Sequence, residues 1–398
     1  MKNIIIVWDS LKIGGVDTYL YNLVSNKKFK KFNITILTNH NNEASKYLKR
    51  RLKKFNDINL ETYFSFFTIK FDNLLLRTIY FFLKPILFII SVIIFIKRLK
   101  GRNFDVLIAQ CGNYGNLRSE QASIIAAKIL GLKKKIIVIH HKCEKSRIFT
   151  KFLNSIINSL IKKFSTKFVT VSRASKKSLK KNCNFVFKNK FNPIVIHNGI
   201  PKTDIKKKNY LKKIIKKKNK INICMLSRVT PNKGQEDLVN MLIKNNNNSK
   251  IKQMNFYIIG DGEDSYVKKL KTKCKKNNIK NIYFTGFIDL ESIKILTSFD
   301  LCLSLTRDYE GFGLTIGESM VAGTPVIATD VGAVKEFLNH KNGTLINVNN
   351  EFMLKKELIN FSLNRKKFIK KAYLAKSEID KKFNTNIMAN KYFSLINK

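Results

Sequence analysis

Acidic residues are scarce in this chain. Its 398 residues hold 27 Asp and Glu against 76 Lys and Arg, a formal net charge of +49. So large an excess favours anionic partners: nucleic acid, anionic lipid or phosphorylated substrates. Lys, Asn and Ile abound along the whole length, so much of the excess reads as solvated background. The six cysteines (Cys111, Cys143, Cys183, Cys224, Cys274, Cys302) form no CxxC pair, which removes the zinc-knuckle and redox readings. Cys224 and Cys302 lie in apolar runs, where a thiol behaves as a small hydrophobe. No secretory leader precedes the first strand pattern at Met1–Val7, so the expected location is cytoplasmic. No RNP, KH, zinc-finger or helix-turn-helix signature is present, and a nucleic-acid partner is not expected. No DxD stands alone at a strand end. The acidic run Asp261-Gly262-Glu263-Asp264 can be read as a metal cluster, but the preferred reading is a loop with no metal.

Apolar residues make up 44% of the chain, enough for packed cores. The first half alternates strand and helix signals. Strands are expected at Asn3–Trp8, Asn33–Thr38, Asp105–Gln110, Lys135–Ile139, Phe168–Val171 and Ile194–Ile196, and helices at Asp17–Ser25 and Arg118–Leu130. The pattern stops over residues 201–220. There Lys206–Lys208, Lys212–Lys213 and Lys216–Lys218 carry only Tyr210 among them. That stretch reads as a linker or exposed helix; a base-stacking patch needs interleaved aromatics. The second half resumes with strands at Asn222–Leu226, Asn255–Ile259, Asn281–Thr285, Leu301–Leu305 and Pro325–Thr329. Repeated βα units predict α/β architecture with doubly wound parallel sheets. The expected plan is a Rossmann-like domain over 1–200, a linker over 201–220, a second Rossmann-like domain over 221–376 and a C-terminal helix over 377–398. Ligands of such sheets bind outside the carboxyl ends of the strands.

One segment departs from a purely soluble pattern. Residues 79–96 are nearly all apolar apart from Lys84 and Pro85, and Arg77, Lys84, Lys97, Arg98, Lys100 and Arg102 accompany them. The uninterrupted run, Ile86–Ile96, is shorter than the about 20 residues of a spanning helix. The favoured reading is a helix lying in an anionic membrane interface; a buried core helix and a true span remain open.

The most informative stretch is LCLSLTRDYEGFGLTIGESMVAGTPVIATDV, Leu301–Val331. A strand ends near Thr306, a loop carries Glu310, Gly311, Phe312 and Gly313, and a helix runs from Leu314 to Ala322 before Gly323. Glycines let a ligand approach the backbone. A helix N-terminus offers free N–H groups and partial positive charge, which together suit a diphosphate. Glu310 in the loop fits sugar hydroxyls, and Glu318 fits the two hydroxyls of a ribose. Taken singly, Glu310 reads more readily as a loop-surface charge and Glu318 as a helix-face charge.

These residues resemble glycosyltransferase family 4, the retaining GT-B enzymes. Glu310–Met320 looks like its E-x7-E element, and AGTPVIATDVGA matches the family's continuation of that element. SRVTPNKG at Ser227–Gly234, IIGDGED at Ile258–Asp264 and YFTGFID at Tyr283–Asp289 fall in register with it; before Val169 the likeness is weaker. The resemblance implies a GT-B fold, two domains facing each other across a cleft. It implies that Glu310 contacts the transferred sugar and Glu318 the ribose, with Phe312, Gly313 and Leu314 presenting amides nearby. It implies that Arg228 and Lys233 hold the diphosphate and Gly262 lies near the base. It further implies that Gly15, in KIGGVDTYL, closes over the donor phosphate and that His140 contacts the sugar, with His141 the competing assignment. Ser172 and Asn198-Gly199 also resemble family positions and read as a helix cap and a turn. A nucleotide-diphosphate sugar is then the donor, with no metal or other cofactor, and a glycan or lipid-linked molecule the acceptor, in bacterial surface polysaccharide or lipopolysaccharide assembly. No Asp or Glu is evidently placed as a covalent nucleophile, so a front-face retaining mechanism is expected. A GT-B epimerase lacks the EGFGLTIGE stretch, and a phosphorylase needs a pyridoxal-phosphate lysine motif absent here.

Overall fold

The computed structural model describes residues 1–10, 12–40, 42–69, 71–144, 150–183, 191–203, 208–215 and 220–398. The chain divides into two compact units, residues 1–199 with 385–398, and residues 200–384. The first unit runs β1 (Lys2–Trp8), α1 (Gly15–Val24), β2 (Phe32–Asn39), α2 (Glu43–Leu52), β3 (Ile58–Tyr63), α3 (Leu74–Leu99), β4 (Val106–Cys111), α4 (Ser119–Ile129), β5 (Lys134–Ile139), α5 (Lys151–Phe164), β6 (Lys167–Thr170), α6 (Arg173–Asn182) and β7 (Ile194–Val195). Its strands form one parallel sheet in the order β3-β2-β1-β4-β5-β6-β7. The uninterrupted β-branched runs are explained by this position: Ile4, Ile5, Ile6 and Val7 are fully buried, because helices cover both faces of a central parallel strand.

The second unit runs β8 (Ile221–Leu226), α7 (Gln235–Lys244), α8 (Ser249–Lys252), β9 (Met254–Ile259), α9 (Asp264–Lys276), β10 (Ile282–Gly286), α10 (Ser292–Thr297), β11 (Leu301–Ser304), α11 (Leu314–Val321), β12 (Val326–Thr329), β13 (Thr344–Ile346), α12 (Glu351–Leu363) and α13 (Arg365–Lys382). Its parallel sheet has the order β10-β9-β8-β11-β12-β13. Cys224 and Cys302 are register partners on β8 and β11, both fully buried, and act as small core residues.

Three boundaries differ from the expected plan. The stretch 377–398 is not one helix: α13 ends at Lys382 and α14 (Thr385–Asn397) comes after it. α14 belongs to the first unit, where Tyr392 is fully buried with its ring 6.2 Å from that of Tyr19. The described part of the Lys-rich stretch, residues 208–215, belongs to the second unit rather than hanging free. Leu211 and Ile215 are buried there, and Tyr210 donates its N–H to Ser298 Oγ at 2.9 Å. Lys206, Lys207 and Lys216–Lys218 lie outside the described residues. The third difference is α3, which extends the expected 79–96 at both ends. Phe88, Ser91, Phe95 and Leu99 recur on one face and are buried. Phe88, Phe95 and Leu99 pack in the core with Ile124 and Ala127 of α4. Leu75, Ile79, Phe82, Ile86, Ile89 and Ile93 remain exposed. The helix thus places one narrow stripe in the core and leaves most of its apolar surface exposed.

The carboxyl edge of the first sheet holds a buried pair of acids. Asp9, just past β1, accepts hydrogen bonds from Tyr63 and Ser65, and Ser65 Oγ lies 2.9 Å from Ser119 Oγ at the start of α4. Glu120 is the next residue. Burial and then the charge of Asp9 push its carboxyl up to about 8, while Arg118 draws it down. Burial likewise raises Asp9 above the ordinary carboxylate range.

Both features lead to measurable outcomes. Phe95→Ala removes a fully buried ring and should cost about 3–5 kcal/mol of unfolding free energy. Ile89→Ser, on the exposed face of the same helix, should change it by under about 0.5 kcal/mol; denaturant titration of both variants tests the division. Glu120 keeps its proton in the folded state well above the unfolded value of 4.5. Its stabilising contribution is therefore complete below that value and disappears as pH rises through about 8. The wild-type melting midpoint should fall from pH 7 to 9, and Glu120→Gln should flatten that fall; equal slopes would contradict the buried proton.

Candidate nucleotide-sugar site

β8 lies between β9 and β11, so the chain leaves it in one direction and returns on the other side. This is the switch point of the second sheet, where a crevice opens at the strand ends. The loops after β8 and β11 carry the residues singled out from the sequence. Pro231–Lys233 forms a 3-10 turn ending at Gly234, whose φ is 77°. A Cβ on Gly234 would lie 2.0 Å from the Leu305 carbonyl oxygen, so only glycine lets the two loops close on each other. Across that junction Lys233 Nζ donates to Glu310 Oε2 at 2.7 Å, and Thr306 Oγ1 donates to the same oxygen at 3.1 Å. The pair is largely enclosed, with side chains 24% and 16% exposed. The backbone of Glu310 is fixed as well. Its carbonyl accepts the Ala333 N–H at 2.9 Å, and a Cβ on Gly332, at φ 57°, would meet that carbonyl oxygen at 2.2 Å.

Downstream of Glu310 the loop turns into α11. Phe312 is buried and stacks on Phe337 with centroids 5.1 Å apart. Gly313, at φ 92°, is the N-cap, and Leu314 opens the helix. No side chain caps α11, and Gly317 N–H closes the first turn on the Gly313 carbonyl at 3.1 Å. The amides of Leu314, Thr315 and Ile316 therefore have no intrahelical acceptor. Together with the positive end of the helix, they make a terminus suited to an anion beside Glu310. Glu318 sits one turn further on and is buried, 5% exposed, rather than lying on a solvent face.

Arg228 lies two residues past β8. Its side chain is exposed and makes no hydrogen bond or ion pair among the described residues, while its carbonyl accepts from Gln235 Nε2 at 2.9 Å. Gly262 bridges to Val229, and a Cβ there would lie 2.1 Å from the Val229 carbonyl oxygen. The acidic run around it does not converge. Asp261 Oδ1 accepts the Phe287 N–H at 2.9 Å, and Asp264 opens α9. The second unit thus brings Lys233, Glu310, Phe312, Gly313 and Leu314 into one continuous loop system, with Arg228 and Gly262 on the neighbouring strand ends.

The two remaining candidates lie in the first unit. His140 comes directly after β5 and is 7% exposed; its Nε2 is 2.7 Å from Gln110 Oε1, and its ring meets Tyr19 edge-on at 4.6 Å. Burial lowers its pKa to about 3, so the imidazole is neutral at pH 7. His141 is only half-buried. Gly15 is the first residue of α1, not part of a left-handed turn. Gly14 N–H donates to Asp17 Oδ2 at 2.8 Å, and Trp8 Nε1 to Asp17 Oδ1 at 2.9 Å, so Asp17 anchors this glycine pair. Thr306, Gly332, Gln235, Arg307 and the Asp9–Glu120 pair escape the sequence patterns. Gly332, inside the quoted VGA, offered a glycine signal; the others are ordinary polar residues whose partners are distant in the chain.

Comparison with known proteins agrees with this architecture. The profile of the family Glycosyl transferases group 1 matches residues 206–375. An uncharacterized glycosyltransferase of Methanocaldococcus jannaschii is 26% identical over 306 residues, 73% of this chain and 74% of that protein. The poly(ribitol-phosphate) α-N-acetylglucosaminyltransferase of Staphylococcus aureus is 30% identical over 182 residues, 43% of this chain and 34% of that protein. The crystal structure of Anabaena HepE with UDP and glucose superimposes with a TM-score of 0.76 at 18% identity, covering 100% of both chains. The two parallel α/β sheets have the GT-B fold, and residues 206–375 match the profile of the Glycosyl transferases group 1 family.

Proposed function

We propose that this chain is a metal-independent, retaining hexosyltransferase of the family 4 type, which moves a sugar from a nucleoside diphosphate to an acceptor hydroxyl. The observation that carries this reading is the Lys233–Glu310 pair beside the uncapped N-terminus of α11. A cation and a set of free amides suit the two phosphates, and an enclosed carboxylate suits sugar hydroxyls. In the reaction, the bond from the anomeric carbon to the phosphate oxygen breaks while the acceptor oxygen bonds to the same face. The acceptor proton passes to the departing phosphate oxygen. Arg228, Lys233 and the helix terminus meet the charge that grows on the diphosphate. Glu318 holds the ribose, Gly262 lines the base, and Gly15 closes over the phosphates. His140, neutral at pH 7, contacts the sugar as a hydrogen-bonding group. The fold shared with a UDP-bound structure makes UDP-sugars the first donors to test.

The acceptor in this proposal is a glycan or lipid-linked molecule of surface polysaccharide assembly, met at the inner face of the cytoplasmic membrane. The exposed apolar side of α3, with Arg77 and Lys84 within the helix and Lys97 and Arg98 in its last turn, supports an interfacial contact. Similarity to an enzyme that acts on poly(ribitol phosphate) supports a surface-polymer acceptor.

The site makes a distinctive prediction. Lys233 is paired with Glu310, so a diphosphate must compete with that carboxylate. Glu310→Gln should lower transfer by about 100-fold or more yet keep or tighten UDP binding. Lys233→Met should weaken UDP binding about tenfold to a hundredfold. Calorimetric titration with UDP and a UDP-sugar transfer assay read both; undiminished transfer in the two variants would reject the site. For the membrane contact, wild type should sediment with phosphatidylglycerol vesicles at physiological salt, and Ile86→Glu with Ile89→Glu should abolish this. Protein that stays in the supernatant counts against interfacial docking.

A further inference from the structure

The glycosyl-transfer reading requires the loop after β8 and the loop after β11 to act together, since one carries Lys233 and the other Glu310. Beyond the glycine junction and the Lys233–Glu310 pair, Arg307 also ties them. Arg307, three residues before Glu310, places its guanidinium fork on Asp237 in the first turn of α7: Nε reaches Oδ2 at 2.9 Å, and the second arm bonds Oδ1. Its N–H donates to the Asn232 carbonyl, next to Lys233, at 2.8 Å. Glu236 lies 3.9 Å from the guanidinium and accepts Lys269 and Lys273 of α9 at 3.2 and 3.5 Å. α7 begins directly after Gly234, so the clamp joins the loops on either side of the sheet's switch point. Thr306, beside Arg307, accepts Thr329 Oγ1 on its carbonyl at 2.6 Å and donates its own hydroxyl to Glu310.

We propose that Arg307, through its bidentate bond to Asp237, is a positioning residue that sets where Glu310 stands relative to the phosphate-binding loop. It rests on the glycosyl-transfer reading for the nature of the ligand. Arg307 itself is 28% exposed and Asp237 12%; Arg307→Lys keeps a cation beside Asp237, and Asp237→Asn leaves the partly solvated guanidinium near Glu236, so neither change buries an unpaired charge. The pair's role is geometric: the planar fork fixes the loop's orientation in a way a single ammonium cannot. Nucleoside diphosphate binding, which depends on the β8 loop and the α11 terminus, is insensitive to it. Recognition of the attached sugar, which depends on Glu310, is sensitive, because a misplacement of about 1 Å at a reacting centre costs up to about 100-fold.

The test compares UDP and UDP-glucose, with GDP and GDP-mannose in parallel, on wild type, Arg307→Lys and Asp237→Asn. Both variants should melt near the wild-type temperature and bind the nucleoside diphosphate within about twofold of wild type. Both should lose the affinity gained from the sugar, which raises KM for the donor, and kcat should fall about tenfold or more. A sugar increment and kcat within about twofold of wild type in both variants would overturn the positioning role. So would loss of cooperative folding in both, which would make the clamp merely structural. Failure of the wild type to bind any of the four probes would instead remove the glycosyl-transfer reading, and this inference with it.

Discussion

A lysine ammonium and a glutamate carboxylate, 2.7 Å apart across two loops 77 residues apart in the chain, are the contact on which the rest of the second unit converges. Neither group can be enclosed alone without a large desolvation cost, and each satisfies the other. For them to meet, the β8 and β11 loops must approach more closely than two Cβ-bearing chains allow. Gly234 supplies that approach against Leu305, and Gly332 does the same beneath Glu310. The sheet order then becomes functional, because β8 and β11 are neighbours only as a consequence of the crossover that makes them the switch point.

Much of this was legible in the chain. The β-branched runs predicted the central strands because a strand covered on both faces needs no polar alternation. The glycines of EGFG predicted a turn into a helix because few other residues adopt a φ such as the 92° at Gly313. The missed elements have equally physical causes. β3, Ile58–Tyr63, lies at the sheet edge, carries Asn59 and Glu61 and is only partly buried, so its pattern is too weak to register. The expected helix over 377–398 runs across the end of α13 into α14 because the break at Phe383 and Asn384 contains neither glycine nor proline. Its return to the first unit is a long-range packing event around Tyr392 that no local pattern encodes.

The site was legible in its motif residues and illegible in its supports. Glu310, Lys233 and Gly313 stand in motifs whose spacing carries meaning. Thr306, Asp237 and Arg307 do not, because their roles exist only once β8 and β11 are side by side. The same holds for Gln110, whose carboxamide oxygen sits 2.7 Å from His140 across neighbouring strands. In a chain with 76 basic residues, the informative cations are those with a defined partner. Arg307 holds a carboxylate in its fork, and Lys233 holds another at a single point.

In the proposed reading, that contrast also bears on how such a basic protein keeps a selective anion site. A bare cluster of lysines attracts any anion, phosphate and nucleic acid alike, with an affinity set by salt. Here the lysine at the switch point is already neutralised by Glu310, and the nearby free amides are fixed dipoles rather than mobile charges. A diphosphate that carries no sugar gains Lys233 only by leaving Glu310 without its cation. A diphosphate that carries a sugar offers hydroxyl donors to the carboxylate in exchange. The pairing therefore raises the cost of binding for anions in general and returns part of it to a ligand that combines phosphate with a polyol, which is selectivity obtained by occupying the cation in advance.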